Sequence, residues 1–337
     1  MKPFFSIIIP IYNGLSHDLP ICLSHIWSQP LDADLYEVIC IDDCSTDGSV
    51  AWLKQQQAEH PNLLILENER NLRQGGARNR GFREAKGKYI MLVDQDDYYH
   101  DGVFAEIYQH LKDSDLDLLI VDCAYQTPGH ESNKLQHNFK HRDVMTGDEM
   151  IERNSIPYAP WKFIFRRSMI LDNNLFFEEN ERIEDVDWVH KMTHYAQKAQ
   201  YQPFLFVHYN KGDMSTTMSS YRSSETVYSS LRMAKRLGVW HDTIFKDSSD
   251  KVKSYINYLE RRFYYLGLRN YFFFYDKIGK KELALKQTIC SSNSEPYNLI
   301  AKLFRTFPKI MSAISNLLCP ACRLAMVVYR KLKYIAR

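Results

Sequence analysis

Nowhere does this chain hold an apolar run approaching the roughly 20 residues that a membrane-spanning helix needs, which excludes a bundle of spanning helices. The first apolar run, residues 4–11, is short and passes directly into turn residues, so no signal peptide is expected. Cysteine is sparse and unorganised. Seven cysteines, an odd number without a framework, exclude a secreted disulfide scaffold and fit a reducing compartment. Cys319 and Cys322 form one C-x-x-C without a second pair, so zinc or redox chemistry is not expected there. No internal repeat is visible, which excludes a solenoid. Acid is missing altogether from residues 296–337, which carry eight Lys or Arg. The whole chain has a net charge of +2, so the preceding 295 residues stand at −6. No nucleic-acid partner is expected. What is present, 45% hydrophobic and 25% charged residues in 337, suffices for a large buried core with an appendage.

The N-terminal half alternates short apolar runs with helical patterns. Residues 4–11 read as a buried strand ending in Pro10, Tyr12, Asn13 and Gly14. Leu19, Cys22, Leu23, Ile26 and Trp27 keep helical spacing. Residues 36–41 are a second strand, ending in Asp42 and Asp43, and Ser45, Thr46 or Asp47 is placed to cap the helix through Val50, Leu53 and Gln57. Residues 63–66 form a third strand. The stretch 74–81, with its glycines and arginines, opens a helix whose backbone permits close approach and whose arginines suit phosphate. Residues 89–93 form the next strand, 103–111 a helix and 116–121 a strand. This order predicts an α/β fold with right-handed crossovers, a mostly parallel sheet and helices on both faces.

The strand at residues 89–93 stops in Asp94, Asp96 and Asp97. In open α/β sheets ligands bind beyond the carboxyl ends of the strands. Three carboxylates within four residues repel one another unless a cation or hydrogen-bonded hydroxyls compensate, and a divalent ion bridging phosphate oxygens is the natural compensation. In isolation the cluster also reads as a solvated acidic turn. A nucleotidyltransferase would share this sheet and metal logic but needs a glycine-rich N-terminal phosphate loop, which residues 10–14 do not form.

The spelling of the motifs resembles glycosyltransferase family 2, inverting nucleotide-sugar enzymes of GT-A (Rossmann-like) fold. Pro10-Ile11-Tyr12-Asn13 is similar to the family's P-x-Y-N, and residues 42–49 to its D-D-x-S-x-D-x-S/T. Residues 71–81 match N-x-x-x-G-x-A-R-N-x-G, and Asp94 to Asp97 match D-x-D-D. Residues 161–167 and the pair Glu184-Asp185 are similar to the W-x-K-L-F/Y-R-R and E-D stretches of bacterial polysaccharide and surface-glycan members. The resemblance covers roughly residues 4–220. It implies a UDP-sugar donor whose base is read by Asp43 between Pro10 and Tyr12, with Asn13 beside them. Arg78 would neutralise diphosphate charge and Asp94 would take ribose or sugar hydroxyls. Asp96 would ligate Mn2+ or Mg2+, with Asp97 backing it. Asp185 would be the catalytic base, with Glu184 as its sugar-binding neighbour and runner-up. His208 would be a third metal ligand or an ordinary strand histidine. Trp161 would stack on an acceptor sugar or be buried, and Lys162 would contact acceptor anions or decorate a turn. Asn210 stands where arginine is common in relatives, and Lys211 is the substitute. Without the family match, Glu184, Asp185 and Asp187 also read as the solvated side of a helix start.

Beyond residue 220 no motif is seen. Val252, Tyr255, Leu259, Phe263 and Leu266 keep helical spacing and read as a core stripe. Three segments follow: 1–220 a nucleotide-sugar glycosyltransferase domain, 221–295 a helical extension and 296–337 a basic amphipathic tail. In the tail Leu324, Val328, Leu332 and Ile335 share one helix face, and Arg323, Arg330, Lys333 and Arg337 another. That is the pattern of a helix lying on an anionic membrane surface. The resulting expectation is a metal-dependent transferase acting on a glycan or lipid-linked glycan, cytoplasmic and peripheral at the inner face of the plasma membrane. The contrasting expectation is a non-catalytic or partner-regulated sugar-nucleotide-binding subunit.

Overall fold

The structure is a computed structural model, and it describes residues 2–127, 130–132, 139, 141–210 and 224–273. The chain forms two compact units, Met1–Ser215 with Asp247–Val252, and Thr216–Lys246 with Lys253–Arg337.

The first unit begins with β1 (Phe5–Ile11), α1 (Leu19–Trp27), β2 (Tyr36–Asp42), α2 (Ser49–Gln56), β3 (Leu63–Glu67), α3 (Arg73–Glu84) and β4 (Tyr89–Leu92). It continues with β5 (Tyr98–Tyr99), α4 (Val103–Leu111), β6 (Leu118–Thr127), β7 (His130–Ser132) and α5 (Gly147–Arg153). β8 (Phe163–Arg166), α6 (Arg167–Asp172), α7 (Asp185–Tyr195) and β9 (Ala199–Asn210) complete it. Every residue of β1 and β4 is buried, as expected of strands covered on both faces.

The strand order is β3-β2-β1-β4-β8-β6-β9-β5, with β7 paired to β6. The parallel order expected from the alternating pattern holds across β3-β2-β1-β4. It gives way at β8, which inserts antiparallel between β4 and β6, so the sheet as a whole is mixed. The physical reason is a pairing between residues about 75 positions apart, Tyr89 with Arg166, which no local periodicity encodes. Because β1, β2 and β4 run in parallel, their carboxyl ends lie on one edge and present Tyr12, Asp43 and Asp94 together.

The loops on that edge are tied to each other. Asn13 (φ 52°) and Cys44 (φ 71°) take left-handed backbone, which Asn tolerates through local hydrogen bonds. Asn13 donates its N–H to Ser45 Oγ at 2.8 Å and accepts from the Thr46 N–H at 2.8 Å. Capping of α2 differs from expectation: the N-cap is Gly48 at φ 87°, a geometry that favours glycine. Asp47 still serves the helix start by accepting from the Ser49 N–H at 3.1 Å.

Among its described residues the second unit is helical, with α8 (Ser224–Asp242) and most of α9 (Asp250–Phe273). Of the anticipated stripe, Val252, Leu259 and Phe263 are buried, while Tyr255 and Leu266 are half-buried. A Cβ on Gly267 would meet Leu231 Cδ2 at 2.8 Å, so the two helices approach closely there. No helix among the described residues is long and apolar enough to cross a membrane. Lys211 and the basic tail lie outside the described residues.

Candidate active site

Asp43 follows β2 and is buried. Its Oδ1 accepts from Asn68 Nδ2 at 2.8 Å and from the Leu72 N–H at 2.7 Å, and Asn71 Nδ2 donates to its carbonyl at 3.1 Å. Two residues of the loop before α3 thereby fix this carboxylate and a third holds the Asp43 backbone. Pro10 is buried inside β1, whereas Tyr12 is 50% exposed at the rim.

Arg78 lies buried on α3 between two acids: Nη2 donates to Asp94 Oδ1 at 2.6 Å and Nη1 to Glu184 Oε1 at 3.2 Å. Beside the expectation that it faces diphosphate, the structure shows Nη1 and Nη2 holding carboxylates, while Nε has no partner among the described residues. Asp94 and Glu184 compensate its burial, so the guanidinium stays charged. Glu184 is the N-cap of α7 and Asp185 its first residue. Glu184 and Asp187 are 5% and 1% exposed, so the solvated-face reading of this acidic helix start does not hold. Burial raises Glu184 above the usual carboxylate range, reinforced by Asp185 and opposed by Arg78. Burial likewise raises Asp185, against Arg78.

Asp96 and Asp97 after β4 are also out of their ordinary range. Asp96 is pushed up to about 6 by burial and by Asp94. Asp97 is raised by burial and by both neighbouring acids; its Oδ1 accepts from the Asn210 N–H at 2.8 Å. Among the described residues no donor reaches Asp97 Oδ2, although that atom is buried. Hard oxygen donors whose mutual repulsion raises their proton affinity fit a divalent cation such as Mn2+ or Mg2+.

His208 is engaged elsewhere. It sits opposite Tyr98 in the β5–β9 pair, stacks on that ring at 4.9 Å, and its Nε2 meets His100 Nδ1 at 3.0 Å. Burial and His100 lower its pKa. Its other ring nitrogen, Nδ1, is buried and has no hydrogen-bond partner among the described residues. Trp161 and Lys162 are 6% and 3% exposed. Trp161 stacks on Tyr209 at 5.4 Å and 17°, and the Lys162 cation opposes the burial that raises the Cys123 thiol. Both therefore belong to the packed wall beside β6 and β9, not to an open acceptor surface.

Two residues to which the motif reading assigned no role contribute to the site. Gln95, the middle residue of D-x-D, accepts from the Tyr12 N–H and donates to the Tyr12 carbonyl, both at 2.9 Å. Asn79 does the same to Phe177, as donor at 2.9 Å and acceptor at 2.8 Å. The signal for Asn79 was its place in the A-R-N triplet; for Gln95 there was none.

With this geometry in view, the comparisons are consistent. Residues 6–175 match the model of Glycosyl transferase family 2, and the chain belongs to that family. The uncharacterized glycosyltransferase YibD of Escherichia coli (strain K12) is 28% identical over 203 residues, 58% of this chain and 58% of that protein. The chain thus spans little more than half the length of that relative. The crystal structure of Staphylococcus aureus TarS 1-349 in complex with UDP-GlcNAc superimposes with a TM-score of 0.61 at 21% identity, covering 86% of this chain and 80% of that one. The mannosyltransferase PcManGT from Pyrobaculum calidifontis, in complex with GDP-Man and Mn2+, superimposes at 0.53 with 16% identity, covering 94% and 88%. These likenesses establish the GT-A-type fold.

Proposed function

We propose that this chain is a divalent-metal-dependent, inverting glycosyltransferase that moves a sugar from a UDP-sugar to a hydroxyl of a glycan or lipid-linked glycan. The observation that carries the reading is the convergence of Asp43, Asp94 to Asp97 and Glu184-Asp185, with Arg78 joining the last two sets through 2.6 and 3.2 Å ion pairs. Family membership, a structural neighbour holding UDP-GlcNAc and another holding Mn2+ support it.

Asp43, already fixed by Asn68 and Leu72, offers its remaining oxygen to a base N–H, and the exposed Tyr12 ring flanks the base. Asp96, backed by Asp97, would hold the ion, whose contribution when bound is Lewis-acid stabilisation of the departing diphosphate, while Asp94 would face ribose or sugar hydroxyls. Asp185 takes the proton of the acceptor hydroxyl as its oxygen forms a bond to the anomeric carbon, on the face opposite the breaking bond to phosphate. Its raised proton affinity suits that role near neutral pH. Glu184, neutralised in part by Arg78, orients the sugar. A non-catalytic sugar-nucleotide-binding subunit would have no need of an acid held above its ordinary range at the start of α7.

The basic tail, residues 296–337, is proposed to seat the enzyme on an anionic membrane surface, since each Lys or Arg near such a leaflet adds about 1 kcal/mol. In flotation with anionic vesicles the full chain should float and a chain ending at Glu295 should not; equal behaviour removes this part of the proposal.

The central test is a panel of nucleotide sugars assayed by thermal stabilisation. UDP-sugars should raise the melting temperature with Mn2+ and not without it. Failure of every UDP-sugar to do so overturns the assignment.

A further inference from the structure

Helix α3 carries Gly75, Arg78, Asn79 and Phe82 at relative positions i, i+3, i+4 and i+7, which places them on one face. Its opposite face is committed to the sheet, where a Cβ on Gly81 would meet Ile8 Cγ2 at 2.6 Å and Ile41 Cδ1 at 3.1 Å. What lies on the first face is the segment running from Leu175 into α7, the segment that carries Glu184 and Asp185.

Four independent contacts bind that segment to α3. The Asn79 carboxamide closes a two-point ring with the Phe177 backbone, donating at 2.9 Å and accepting at 2.8 Å, and both bonds are buried. This is the pairing of a β-bridge made by a side chain. At Gly75 the segment comes so close that a Cβ would stand 2.9 Å from the Glu178 carbonyl oxygen and 3.2 Å from Glu184 Cγ. Arg78 reaches Glu184 at 3.2 Å, with its guanidinium 5.5 Å from the Phe177 ring centroid. Phe82 stacks on Phe177 at 5.7 Å and on Trp188 at 5.8 Å, while Phe177 and Trp188 stack on each other at 4.0 Å. The Trp188 indole N–H donates to the Leu175 carbonyl at 2.9 Å, closing the segment on itself.

We infer that Asn79 and Gly75 are positioning residues for the transfer step: the G-x-A-R-N face of α3 is a platform that sets the height of Glu184 and Asp185 over the donor, not a phosphate cradle. The physical stake is geometric. A general base works only within hydrogen-bond reach of the proton it takes, and a displacement of about 1 Å at such a group costs on the order of a hundredfold in rate. Asn79→Ala leaves the Phe177 N–H and C=O without their partner, and Gly75→Ala drives a methyl against the Glu178 carbonyl. Both move the same segment by unrelated means, and neither touches the Asp43 side.

The inference rests on Asp185 being the base, so Asp185→Asn serves as the reference. With the full chain, Mn2+–UDP affinity is measured by calorimetry. Turnover is measured as UDP released from the UDP-sugar that stabilises the wild type most, and hydrogen exchange is followed across residues 175–188. Asn79→Ala and Gly75→Ala should each lower kcat about tenfold or more, keep the UDP dissociation constant within about twofold, and speed exchange in 175–188 but not in β2. If Asp185→Asn is inactive while both variants turn over like the wild type, or if their loss of turnover is matched by an equal loss of UDP affinity, the platform role is wrong. Should Asp185→Asn itself remain active, the base assignment fails separately. Exchange unchanged in 175–188 in both variants would then still overturn the anchoring.

Discussion

Tyr12 and Gln95, 83 residues apart, are joined in both directions, the Tyr12 N–H to Gln95 Oε1 and Gln95 Nε2 to the Tyr12 carbonyl, each at 2.9 Å. Register between β1 and β4 runs out at Ile8 and Leu92. The Gln95 side chain then takes the place of the next strand rungs, holding the proposed base-stacking ring to the loop that bears the acids. Gln95→Ala should therefore weaken UDP binding about three- to tenfold, the equivalent of one net hydrogen bond, with the melting temperature nearly unchanged. Calorimetry with UDP and Mn2+ measures this, and wild-type affinity in the variant refutes it.

Asp96 is held at about 6, above its ordinary value. The folded state thus binds this proton more tightly than the unfolded chain does, so stability is gained as pH falls through about 6, and the ionised form is a cost above it. Asp96→Asn should melt no lower than the wild type at pH 8 while losing Mn2+-linked UDP binding. Binding of Mn2+ and UDP near pH 6 should also release protons. Calorimetry in two buffers of different ionisation enthalpy detects them.

Asp185→Asn should retain UDP binding and lose transfer by at least about a hundredfold. In the wild type the acid limb of kcat/KM should fall above the usual carboxylate value of about 4, because burial holds both Asp185 and Glu184 up. Near-normal transfer by Asp185→Asn together with a dead Glu184→Gln would exchange the two roles.

Arg78→Met removes the cation and leaves Asp94 and Glu184 facing each other without it. Breaking a buried pair of this kind costs about 3–5 kcal/mol. Without Arg78 nothing opposes the burial that raises Glu184, so the penalty is full at alkaline pH and shrinks as pH falls and that carboxyl neutralises. Urea denaturation at pH 8.5 and pH 5.5 should show the larger loss at the higher value; equal losses contradict the ion-pair account.

Local patterning was legible. The 103–111 periodicity is α4 to the residue, and β1, β2 and β4 fall within one or two residues of their apolar runs. Those elements bury whole faces, which fixes their composition. β5, with two residues, and α6, with six, leave too short a pattern to read. The site divides in the same way. Asp43, Asp94 and Asp185 were marked by their motifs, but the carboxylate partners of Arg78 lie 16 and 106 residues away and no local pattern announces them. The contact of His208 Nε2 with His100, 108 positions distant, was equally invisible to local pattern.

The insertion of β8 between β4 and β6 bears on how the chain is made. β4, whose end carries the acids proposed to hold the metal, pairs on one edge with β1, which precedes it in the chain, while its other edge is completed only by Phe163–Arg166. At about 5–20 residues per second of synthesis, that edge stays open for roughly 4–15 s on the ribosome. An open apolar edge recruits foreign strands. N-terminal fragments that stop before residue 163 should accordingly be insoluble, and the nascent chain should depend on chaperone cover through that interval.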